Sequence, residues 1–378
     1  LKKSSIIFTL LASAMTLGAA TGASAATKAP AGAVFAATND VHHNSIVMYN
    51  RSAAGALTYV GMFETGGRGE GGINDPLQSE SSLLLSGDHH YLLAVNAGSS
   101  TISVFAIAEN GLSLLDVEPS GGGNPVSVAM FDDLVYVANV GGIYHTAGFR
   151  LLPWGKLEPI ANSIKTLSGL DTEPGTIAFS PDGTKLVVTE RQTSKVDVFS
   201  VQGDGSLANG VFNAAQGVEP FGMQFAPNGV LLVSEAGSSA VSSYVVNADN
   251  TLTVVTSKSP SPGAATCWVA TNGSIVWASN AASSNITAYT LGTSGALAPL
   301  GTVLKQAAAG PTIFPPIVPA TAFPIDLALT EDSKFLYVVY SALGQIIGYK
   351  TGPNGQLTQV TAVNAYAPQV GVEGLAVY

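Results

Sequence analysis

The chain has 378 residues with 42 glycines, 20 prolines and only 11% charged residues, a turn-rich and charge-poor composition that excludes coiled coils and extended disorder. A net charge of −10, from 25 acidic and 15 basic side chains, leaves no basic face for nucleic acid. The lone cysteine, Cys267, excludes an intramolecular disulfide framework and a multi-cysteine metal site.

At the N-terminus, Lys2 and Lys3 precede an apolar run from Ile6 to Leu17, and Ala23-Ser24-Ala25 forms a small-x-small cleavage site. This pattern predicts a cleaved export signal over 1–25, a mature domain over 26–378, and a secreted or periplasmic location. No later stretch is long and apolar enough to span a bilayer, so no membrane span is expected after cleavage.

One unit then recurs seven times. A small apolar strand ending in a polar or aromatic residue occupies 34–39, 92–96, 135–139, 186–190, 231–235, 276–280 and 336–340. A strand ending in an aromatic follows each, at 45–49, 101–105, 144–149, 195–199, 240–244, 285–289 and 345–349, with the alternation of a half-buried strand. A Gly or Asn turn then leads to a strand starting at Leu57, Leu112, Leu157, Leu207, Leu252, Leu297 or Leu357. An inner strand precedes six of the copies, at 82–85, 126–129, 176–179, 222–225, 267–270 and 325–328. The first copy lacks it, and residues 373–378 match the missing strand. Four strands in about 50 residues fit a propeller blade. The predicted fold is therefore all-β: a single seven-bladed β-propeller of four-stranded antiparallel blades, with the C-terminal strand closing the first blade. Such pairing covers the edges that an open ring would expose.

This phase places particular residues on one rim. Just before the inner strands stand Glu80, Pro125, Glu173-Pro174, Glu219-Pro220, Pro324 and Glu373. At the ends of the next strands stand Asn39-Asp40, Asn96, Asn139, Glu190-Arg191, Glu235 and Asn280. Carboxylates converging in a funnel raise one another's pKa or demand a cation. Arg191 is the only base in the second set. The insertion at 66–78 is expected to form a mobile flap carrying Arg68 and Gln78 near a ligand. It lacks the Lys-Ser/Thr ending of a phosphate-binding loop. A second insertion, 307–323, reads as an extended loop, lid or partner edge. Among five histidines, His42 and His43 fall on the rim, His89 and His90 on the opposite face, and His145 in a strand. No HExxH or G-x-S-x-G motif occurs.

The repeat, clearest at 173–190 (EPGTIAFSPDGTKLVVTE) and seen again at 92–105 and 220–244, resembles the seven-bladed lactonase family, which includes bacterial 6-phosphogluconolactonases and fungal carboxymuconate-lactonizing enzymes. The resemblance implies a propeller over nearly the whole mature chain and lactone chemistry at the channel mouth. It maps that chemistry to Glu190, Arg191 and Glu235. The H-x-H element of the phosphogluconolactonase branch is absent. Two functions follow as expectations. In the first, the chain is a secreted lactonase or lactonizing enzyme acting on a small-molecule lactone or carboxylate. Glu190 or Glu235 serves as base, Arg191 steadies the oxyanion, and His42 is a further proton-transfer candidate. Arg68, Gln78, Glu173, Glu219, Asn96 and Asn280 are then substrate-binding candidates. In the second, the chain is a non-catalytic secreted or surface binding module. A monomer without an organic cofactor is expected, and no protein metal ligands are assigned, although the acidic mouth could hold Ca²⁺ through oxygen ligands.

Overall fold

Seven antiparallel sheets arise from the seven sequence copies. The computed structural model describes residues 30–306, 322–365 and 371–378. The expected export signal over 1–25 and most of the 307–323 insertion lie outside these residues. Five blades have four strands in chain order from the axis outward. In the third blade the outer strand is broken into Leu157–Pro159 and Lys165–Thr166, both pairing with His145–Leu151. The first blade takes Leu375–Val377 as its inner strand, and Val34, Phe35 and Ala36 pair with Val377, Ala376 and Leu375. No helix among the described residues is long and apolar enough to cross a membrane.

The third strands differ from the half-buried alternation read from the sequence. Lys195–Ser200 alternates polar and apolar residues, yet Asp197 is fully buried. Neighbouring blades cover both faces of the middle strands, so the polar face has no access to water. True alternation appears only in the outer strands, such as Leu57–Glu64. The turns behave as the sequence indicates. In 180–183, the Gly183 amide donates to the Ser180 carbonyl at 2.9 Å, and Ser180 Oγ donates to Asp182 at 2.6 Å. Gly183 has φ +68°, and a Cβ there would lie 2.2 Å from the Phe131 ring, so a side chain is excluded twice over.

The insertion after the first blade is not a free flap. Residues 75–80 enter the axial channel and bond to five blades. Leu77 N–H donates to Glu373 at 2.8 Å, Ser79 Oγ to the Val126 carbonyl at 2.8 Å, and Glu80 N–H to the Gly175 carbonyl at 2.9 Å. The Glu80 carboxyl accepts from Met223 N–H at 2.8 Å, and the Ser79 carbonyl from the Trp268 indole at 3.0 Å. Segment 75–80 is thus a plug, fixed because its hydrogen bonds reach five different blades. Trp268→Phe removes the indole donor and leaves the Ser79 carbonyl unpaired. Urea unfolding should show a loss of about 1–3 kcal/mol; an unchanged midpoint and slope would show that the plug is held without it. Beyond the plug, the channel opens on the opposite face as a cavity of about 500 Å³ lined by Glu80, Gln224, Thr271, Asp326 and Leu327.

Candidate functional site

One position distinguishes the fourth blade from the others. The residue just past the second strand is Thr38, Ala97, Gly142, Ala236, Ala281 or Ser341 in six blades, and Arg191 in the fourth. Its backbone N–H donates to the Glu173 carbonyl at 3.1 Å, as Ala236 N–H does to Glu219 and Ala281 N–H to Ala265. The accepting residues adopt left-handed backbone, with φ +46° at Glu173, +59° at Glu219 and +56° at Ala265. Asn124 and Phe323 share this conformation in the third and seventh blades. Non-glycine residues held here carry strain, and in the fourth and fifth blades the turn brings Glu173 and Glu219 to Arg191.

The Arg191 guanidinium is 7% exposed and lies 5.7 Å from the centre of the Phe221 ring. Nη1 donates to Gln78 Oε1 at 2.7 Å and lies 4.0 Å from Glu219 Oε1. Nη2 donates to Glu173 Oε2 at 2.9 Å. Nε is buried without a partner. The structure therefore brings together Gln78, Glu173, Arg191 and Glu219, from the plug and two blades.

Two acids join this group that the rim assignment did not pair. Asp75 and Glu373 are 298 positions apart in the chain, and their carboxyls are hydrogen-bonded to one another. Burial raises Asp75 to about 7, opposed by the charge of Arg191 and the bond from Glu373. Burial, then the charge of Asp75, pushes Glu373 well above the usual carboxylate range. Glu373 is raised further than Asp75, so it keeps its proton, shared with Asp75, when Asp75 ionises. Nothing local marks Asp75 in the sequence. Its place depends on the plug entering the channel and on the terminal strand closing the ring.

The remaining candidates are not brought to Arg191. Glu190 is fully buried and accepts from Ser168 N–H at 2.7 Å, from Ser168 Oγ at 2.5 Å, from Thr193 Oγ1 and from Asp197. Burial alone would raise its pKa, but the bonds from Asp197, Ser168 and Thr193 outweigh it and hold it low. Asp197 is pushed up to about 10 by burial and by Glu190, so it carries the proton of this second acid pair. Glu235 Oε1 accepts from Tyr244 at 3.2 Å, Oε2 is buried without a partner, and burial raises its pKa. Asn96 accepts from Thr65 at 2.7 Å and donates to Ser103 at 2.8 Å. Asn280 accepts from Ser261 at 2.7 Å and donates to Thr287 at 2.9 Å. Each side chain ties its own third strand to the segment leaving the preceding blade's outer strand. They face the seams between blades. Glu190, with both oxygens engaged by donors, has little capacity to accept another proton.

His42 and Arg68 sit together elsewhere. With His43, Glu64 and Ser99 they line a separate depression of about 330 Å³. Arg68 is tied by its amide to Ser99 Oγ at 2.9 Å and by its guanidinium to the Gly98 carbonyl at 3.4 Å. Among the described residues, no group of three or more His, Cys, Asp or Glu is placed to hold a metal ion.

Solved structures share this architecture. A candidate 6-phosphogluconolactonase from Bacteroides fragilis superposes with a TM-score of 0.71 at 17% identity, over 92% of this chain and 98% of its own. The periplasmic gluconolactonase of Pseudomonas aeruginosa gives 0.70 at 16% identity, over 92% and 98%. Virginiamycin B lyase from Staphylococcus aureus gives 0.52 at 14% identity, over 77% and 86%. At these identities the likeness is one of fold. No curated protein matches the sequence. The stretch that carries Glu173, Glu190, Arg191, Glu219 and Glu235 is the one with a family match: residues 144–267 match the model described as "Lactonase, 7-bladed beta-propeller".

Proposed function

We propose that the protein is an exported lactone hydrolase working at the mouth around Arg191. The observation that carries this reading is the buried guanidinium of Arg191 acting on Asp75, a buried acid raised to about 7. Opening a lactone requires a base to take a proton from water and a donor to meet the charge growing on the carbonyl oxygen. Asp75, ionised while Glu373 keeps the shared proton, is the base. Water oxygen bonds to the carbonyl carbon, Arg191 steadies the oxyanion, and the ring C–O bond breaks. The leaving oxygen takes the proton from the acid pair, giving a hydroxy acid. Gln78 and Glu173 hold the guanidinium in place. The family match over 144–267 supports the reaction class, and the leader pattern over 1–25 supports export.

The test is hydrolysis of a lactone panel by the mature protein, with and without EDTA. Activity should rise with pH through about 7 as Asp75 ionises. Asp75→Asn should lower kcat by roughly 100-fold or more and remove that limb of the profile. A protein that opens no lactone in the panel, or an Asp75→Asn variant with an unaltered profile, would overturn the assignment. Activity lost to EDTA and restored by Ca²⁺ would move the chemistry to an ion.

A further inference from the structure

We infer that the mouth selects lactones bearing no negative charge, and so discriminates against phosphorylated or carboxylated ones; this rests on the lactone reading of the same site. Around the reacting position a single guanidinium faces Glu173, Glu219 and the Asp75–Glu373 pair. Its charge is already answered before any ligand arrives. Nη1 and Nη2 already donate to Gln78 and Glu173, so a phosphate or carboxylate taking both through two parallel bonds would compete with those acceptors.

The surroundings carry the same sign. The Cys267 thiol is pushed up by burial, and the charges of Asp75 and Glu219 act on it more strongly than Arg191 does. The Tyr144 phenol is likewise raised by burial, then by Glu173 and Asp171. Two other cations are committed elsewhere: Arg68 lines the separate depression, and Lys195 Nζ donates to Ser168 Oγ at 2.9 Å. The internal stretches outside the described residues, 307–321 and 366–370, contain no lysine or arginine that could add a counter-charge. Like charges facing one another in a partly desolvated site are strongly repelled.

Glucono-δ-lactone and its 6-phosphate make the comparison, since they differ only in the charged group. The mature protein is assayed for hydrolysis of both. Binding of the two corresponding non-hydrolysable lactams is measured by calorimetry. The neutral ligand should be favoured by at least about tenfold in kcat/KM and in Kd at low ionic strength. The gap should shrink in 0.5 M salt, and Glu219→Gln should narrow it by improving the phosphorylated ligand. Equal or better use of the phosphorylated ligand overturns the inference and leaves the lactone reading intact. Selective binding of the neutral lactam without hydrolysis of either lactone sinks the catalytic reading and supports the charge selection. Failure to bind either lactam overturns both.

Discussion

Arg191→Met should lower kcat/KM for any lactone the protein opens by roughly 100- to 1000-fold, the usual cost of losing a donor aimed at a developing oxyanion. The loss should fall mainly on kcat, because the bond strengthens as charge moves onto oxygen. Arg191→Lys is the informative companion. An ammonium keeps the charge but cannot reach Gln78, Glu173 and the ligand as a planar fork does. It should recover only a minor share of the rate. The guanidinium also screens Asp75. Without it the acid pair should hold its proton to higher pH, and any residual activity should peak at more alkaline pH than wild type. Steady-state kinetics from pH 5 to 9, with thermal melts to confirm folding, measure all three effects. Full activity in the folded methionine variant would remove Arg191 from the chemistry.

Glu190→Ala should destabilise the protein by about 3–5 kcal/mol, the range for breaking a buried charged network by removing one partner. Ser168, Thr193 and Asp197 all lose their acceptor at once. Asp197→Asn should cost less than about 1 kcal/mol at neutral pH, because a protonated acid and an amide both donate. The two variants also separate by pH. Asp197 is raised to about 10 in the fold, against an ordinary value near 4 when unfolded. Between those limits the folded state holds one proton more. Its contribution is complete below about pH 4 and is lost as pH rises, by about 1.4 kcal/mol per unit. Asp197→Asn should flatten that decline. Urea unfolding at pH 5, 7 and 9 checks it, and parallel curves for wild type and variant would show that no proton is shared.

Blade number and closure were legible in the sequence because the unit repeats in phase and its leftover strand, 373–378, matches the missing one. The grouping of Gln78, Glu173, Arg191 and Glu219 was partly legible. Arg191 breaks the repeat at a position that is small or polar elsewhere, and Glu173 and Glu219 occupy equivalent turns. The orientation of Glu190, Glu235, Asn96 and Asn280 was not legible from position along the chain. A strand end can aim a side chain at the channel or at the seam. A second signal does mark the seam. Asn96 and Ser103, Glu190 and Asp197, Glu235 and Ser242, and Asn280 and Thr287 are polar pairs seven residues apart. That spacing makes them diagonal neighbours on one face of two antiparallel strands, as the pairing of Glu190 with Lys195 and of Asn280 with Asn285 shows. Asp75 had no comparable signal, since its partners come from the far end of the chain.

The pairing of Val34 with Val377 joins residues made at opposite ends of synthesis. Most contacts within a blade are local and can form as each hairpin appears. The last sheet cannot be completed until residues 375–377 exist, and closing so long a loop is slow. Maturation should thus have a late step in which six blades have assembled and the first still has an exposed edge. Glu373 and Asp75 meet in that same step. The acid pair assigned to chemistry is therefore absent from every shorter folding intermediate, and activity should appear only with the fully closed ring.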